Sequence, residues 1–201
     1  MNTKSKNSRV LRDLIRIGVF SALWIVVSFL IACTMGFFLP LLMVMPCILG
    51  VVGGIIYIVM LSKLTISGGM VISSGLLGVC LFTMAPYGMM FFCTWAGGII
   101  GEIIYRIIGT DSFPGKITGT CITLLGLAIG EYIPFIWMQD AYLELYSANT
   151  FGSLPVLQYA INVTSVPVMF ILLAATVACT ILGCFWGKRI VERNFKKSVA
   201  K

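Results

Sequence analysis

Between residues 14 and 186 the chain has almost no stretch that could face water, because one apolar segment follows another with only brief polar breaks. A bilayer core about 30 Å thick is crossed by roughly 20 consecutive apolar residues in a helix. Six such segments can be drawn, at 14–33, 38–61, 66–82, 87–108, 117–138 and 158–186. The third is the shortest and is rich in Gly and Ser. The composition agrees with this reading: 10% of residues are charged, against about 25% in a soluble domain. The expected fold is therefore an all-α membrane protein, a single six-helix bundle over 14–186 with basic tails at 1–13 and 187–201.

Orientation follows from the fourteen Lys and Arg residues. They fall at Lys4 to Arg16, at Lys63, at Arg106 and Lys116, and from Lys188 onwards, whereas the other three connections hold none. Under the positive-inside rule this places both termini in the cytoplasm and requires an even number of crossings. The net charge of +7 is then accounted for by inner loops beside anionic lipid, with no nucleic-acid partner. The apolar start reads as a retained helix, not a cleaved signal.

Several chemistries are excluded or disfavoured. The chain has no histidine, which removes the commonest metal ligand and near-neutral general base. The seven cysteines lie in apolar stretches, form no C-x-x-C pair and read as packing residues. No metal or cofactor site is expected. The absence of a G-x-x-x-x-G-K-[ST] loop means that ATP could energise this chain only through a partner.

Small residues recur four apart in every predicted helix, as Gly18/Ala22, Gly50/Gly54, Ser74/Gly78, Gly97/Gly101, Gly126/Gly130 and Gly183/Gly187. That spacing lets two helix backbones approach closely. At least four of the pairs are expected to hold the bundle together. Prolines 40, 46, 134 and 167 fall within predicted spans, where a lost backbone donor is tolerated beside a neighbouring helix or cavity.

Two acids are read at membrane depth. Glu102, four residues before Arg106, is expected to form an ion pair along its helix. Glu131 has no basic neighbour in sequence, and either faces a ligand or is a protonated or hydrogen-bonded structural carboxyl. Tyr87, Phe91 and Trp95 share one helical stripe. Gln158, Tyr159, Asn162, Thr164 and Ser165 polarise the start of the last span. These features suggest a cavity near the outer ends of the fourth to sixth spans, lined by Tyr87, Phe91, Trp95, Glu131, Tyr132, Gln158 and Asn162. Residues 139–157 form the one long outer connection, either an aromatic interface segment or a lid.

The run Leu14-Ile15-Arg16-Ile17-Gly18-Val19-Phe20-Ser21-Ala22, the Pro86-Tyr87-Gly88 turn and Gly97-Gly98-Ile99-Ile100-Gly101-Glu102-Ile103-Ile104-Tyr105 together resemble the substrate-binding S component of an energy-coupling factor (ECF) transporter, of the MptD or Trep_Strep type. The resemblance covers nearly the whole chain. It implies a non-enzymatic six-helix protein that captures a vitamin or other micronutrient outside. It also implies partners: an EcfT-like transmembrane coupling protein and two cytoplasmic ATPases. The coupling protein would dock on a small-residue face of the first helix, here Gly18 and Ala22. No hallmark of the thiamine, biotin or riboflavin members is present. The alternatives are a membrane protein serving assembly alone, and an intramembrane enzyme built on a carboxylate.

Overall fold

The computed structural model describes residues 3–35, 39–148 and 154–199. Within them the chain is helical, without strands, in the order α1 Thr3–Met35, α2 Leu39–Leu61, α3 Gly69–Leu81, a 3-10 turn at Pro86–Gly88, α4 Met89–Ile108, α5 Phe113–Trp137, α6 Gln139–Ala148, α7 Leu154–Val163 and α8 Val166–Val199. Five segments are long and apolar enough to cross a bilayer: Ser8–Met35, Leu41–Leu61, Pro86–Ile108, Phe113–Trp137 and Val166–Arg193. With 13 residues, α3 is only about 20 Å long, short of a full hydrocarbon crossing.

Glycine sets the pairing. A Cβ on Gly97 would stand 2.7 Å from the Gly126 Cα, and one on Gly130 would stand 3.1 Å from the Met90 Cα. The α4 and α5 backbones therefore touch along an antiparallel seam. In a second seam, α2 and α8 run parallel: a Cβ on Gly54 would meet the Thr180 carbonyl oxygen at 2.7 Å, and one on Gly187 the Ile55 carbonyl oxygen at 3.1 Å. Ser74 and Gly78 of α3 face α4 at Gly98 and Phe91. Five of the six small-residue pairs are thus internal. Gly18, by contrast, has nothing within 4 Å of an added Cβ, and Ala22 beside it is exposed.

The core has two parts. One gathers Trp24, Tyr57, Met60, Met70 and Leu124 where α1, α2, α3 and α5 converge. The other gathers Met43, Tyr132, Phe135, Tyr142, Leu157 and Met169, so that α6 and α7 are packed onto one end of the bundle.

The boundaries correct several expectations. The segment 3–13, read as a tail, continues α1, and the C-terminal tail to Val199 continues α8. The segment 158–186 is not one helix. Thr164 and Ser165 interrupt it, and Pro167 falls in the first turn of α8, where its missing N–H costs no hydrogen bond. The 139–157 connection is largely helical, with residues 149–153 outside the described part, as are residue 38 at the expected start of the second span and the tail positions 1, 2, 200 and 201. Ser112 starts α5 four residues earlier than read, accepting a hydrogen bond from the Gly115 N–H at 3.1 Å.

Candidate functional site

The two ends of the bundle differ in how their acids are used. At the end bearing Lys63, Arg106, Lys116 and Lys188, the first turn of α3 leaves backbone N–H groups without helical acceptors. Its cap position, Gly68, has φ 106° and offers no side chain. Glu102 of α4 reaches across to supply the acceptor. Its carboxylate takes the Gly68 N–H at 2.7 Å and the Met70 N–H at 3.1 Å, and pairs with Arg106 at 3.2 Å. The expected ion pair is present, but it is one of three contacts. Nearby, Asp13 is fully buried and accepts from both the Thr65 N–H, at 2.8 Å, and the Thr65 hydroxyl. It pairs with Arg16 at 3.0 Å, and Arg16 also donates to the Lys63 carbonyl at 2.7 Å. Lys188 of α8 lies over the Phe113 ring of α5, 4.5 Å from its centroid. Asp13 and Glu102 are thus both occupied by donors of the protein.

At the opposite end Glu131 of α5 is 4% exposed, and among the described residues neither of its carboxyl oxygens has a hydrogen-bond partner. Its neighbour Tyr132 is fully buried and committed, donating to the Met43 carbonyl of α2 at 2.8 Å. From α6, Tyr142 and Tyr146 pack into the same core cluster as Tyr132. Burial first, then Tyr146 and Glu131, hold the Tyr142 phenol well above the usual tyrosine range. The two tyrosine rings meet edge to face at 5.2 Å, and Tyr142 lies 5.4 Å from Phe135. Helix α6 therefore forms a roof of aromatic rings beside an unpaired carboxyl. At the rim, Tyr87, Trp137, Gln139 and Asp140 line a surface depression of about 280 Å³.

The residues expected to line one cavity are dispersed. Glu131 and Tyr132 are buried together. Phe91 and Trp95 stack at 5.6 Å, but they lie against Gly78 and Gly75 of α3, on another side of α4. Tyr87 precedes the helix, with φ 54° and 78% exposure, because the turn into α4 passes through the left-handed region at both Tyr87 and Gly88. Gln158 and Asn162 are exposed on α7. Helix α7 turns its apolar face, through Leu157 and Ala160, to the core.

Two features escaped the sequence reading. Asp13 was grouped with the polar tail; its i,i+3 spacing to Arg16 was the available signal. Ser21, Trp24 and Ser28 form a buried row along α1, and the two hydroxyls and the Trp24 indole N–H have no partner. The i, i+3, i+7 spacing of polar groups in an apolar helix would have revealed it. Among the described residues no cluster of Cys, Asp or Glu suits a metal ion.

Comparison with known proteins places this architecture in a family. No curated protein and no solved structure matches the chain. Residues 11–197 match the family model Trep_Strep, described as a hypothetical bacterial integral membrane protein. With that coverage, the chain belongs to the Trep_Strep family of bacterial integral membrane proteins.

Proposed function

We propose that this protein is the substrate-binding S component of an ECF-type importer. It captures a small molecule at the Glu131 end, which faces outside, and passes it inward through an EcfT-like protein and two ATPases. The observation that carries the reading is Glu131, a buried carboxyl that no group among the described residues satisfies. Burying an unpaired ionisable group is costly, and the glycine seams hold the helices together without it. A protein serving assembly alone gains nothing from such a group, whereas a binding site needs one.

The remaining features fit. The short α3 counts as a sixth crossing whose inner end is capped by Glu102 and not left to lipid. Six crossings put both termini on the basic, cytoplasmic side. The open Gly18/Ala22 face of α1 is the docking surface for a helix of the coupling protein. The reading assigns the chain no catalytic step.

The test is affinity capture from mildly solubilised bacterial membranes. A coupling membrane protein and two ATPases should accompany the wild-type protein and be lost with Gly18→Leu/Ala22→Leu. Recovery of the wild-type protein alone, or only with further copies of itself, overturns the reading. Orientation has its own check, with single cysteines at Ser5 and Ser147 in a cysteine-free background. An impermeant reagent applied from outside should label Ser147→Cys and spare Ser5→Cys.

A further inference from the structure

We infer that the ligand held at Glu131 is a small organic cation, a protonated amine or a quaternary ammonium group. The inference rests on the binding-subunit reading and adds the substrate class. Three observations converge. Glu131 is buried with both oxygens unpartnered among the described residues, so the hydrogen-bonding capacity of its carboxyl is left for a group from elsewhere. Aromatic rings gather at the same end, with Tyr132 next to Glu131 in the chain and Tyr142 and Tyr146 meeting edge to face on α6, in the core cluster that holds Tyr132. Aromatic faces next to a carboxylate are the arrangement that recognises organic cations.

The third observation is the charge of the whole end. Three of the seven acids, Glu131, Asp140 and Glu144, lie there, and no Lys or Arg occurs between residues 117 and 187. The positive-inside rule explains why basic residues are missing from an outer end; it gives no reason to bury a carboxylate there. Acids without cations attract cations and repel anions. Asp140 lines the surface depression at this end of the bundle. A bare metal ion is a poorer fit, because hard cations take several oxygen ligands and the Tyr132 phenol is already engaged with Met43.

The experiment is a thermal-shift and calorimetric titration of the purified full-length protein in detergent. The probes are tetramethylammonium and benzylamine, their neutral counterparts tert-butanol and benzyl alcohol, the anion benzoate, and sodium chloride as the inorganic control. At least one organic cation should stabilise the protein where its neutral counterpart and benzoate do not, and Glu131→Gln should weaken that binding about tenfold or more. Tyr146→Ala should weaken it less. Without ligand, Glu131→Gln should melt no lower than wild type, since it breaks no hydrogen bond; a clear fall would make the carboxyl structural and overturn the inference. So would neutral probes or benzoate binding as well as the cations, sodium alone reproducing the effect, or no probe binding. Failure here with the ATPase partners still captured removes the ligand class and leaves the transport reading. Cation binding without those partners does the reverse.

Discussion

Glu102 and Glu131 sit on adjacent antiparallel helices, each almost wholly withdrawn from solvent, at 2% and 4% exposure. Glu102 is surrounded by donors: two backbone N–H groups of α3 and the Arg106 guanidinium. Glu131 has none. Burial alone therefore does not distinguish a structural carboxylate from an available one; the inventory of partners does. An acid that closes a helix terminus is part of the fold. One whose oxygens meet no donor is held ready for something the chain does not supply.

The contrast is sharpest in what each acid's removal should cost. Glu102→Ala strips the acceptor from two N–H groups and leaves Arg106 unpaired. It should destabilise the protein by about 2–4 kcal/mol, with hydrogen bonds to a charged group worth roughly 1.5–3 kcal/mol, read as a large fall in melting temperature. Stability within experimental error of wild type would remove the distinction between the two sites. Asp13→Ala breaks the contacts to Thr65 and Arg16 and should cost less, about 1–2 kcal/mol, because Thr65 is exposed and its donors can turn to water, whereas the Met70 N–H at Glu102 is buried. Hydrogen exchange should show the loss first at residues 62–68. Glu131→Leu should be neutral or stabilising by on the order of 1 kcal/mol, as replacement of a buried, unpartnered polar group by an apolar side chain often is. It should abolish cation binding all the same. Smallest of all, Gly18→Leu/Ala22→Leu should change the isolated protein's stability by less than about 0.5 kcal/mol, since the added atoms meet open space. A large loss there would mean that α1 packs differently from the geometry described.

Much of the fold was legible because lipid simplifies the code. Long apolar runs and four-residue glycine spacing each follow from a single constraint. The internal pairs at Gly50/Gly54, Gly97/Gly101, Gly126/Gly130 and Gly183/Gly187 read directly as seams. The site was less legible. Periodicity placed Phe91 and Trp95 on one stripe, but not the direction it faces, and the stripe turned towards α3 because Gly75 and Gly78 leave room for its rings. A hydropathy window also runs straight through Thr164 and Ser165. The break there depends on where Pro167 falls relative to a helix start, a local backbone matter that average hydrophobicity does not record. Glu131 stood out from its lack of a neighbour in sequence; that it lacks one in space required the structure.

The α2–α8 seam has a consequence for biosynthesis. Its two backbones fit so closely that Gly54 and Gly183 admit no side chain, yet they belong to segments made far apart in time. Until α8 leaves the ribosome, the grooved side of α2 has no protein to cover it and must be shielded by lipid or by an insertion factor. Insertion of α8 therefore closes this seam, and an intermediate that lacks it leaves the α2 groove open to lipid.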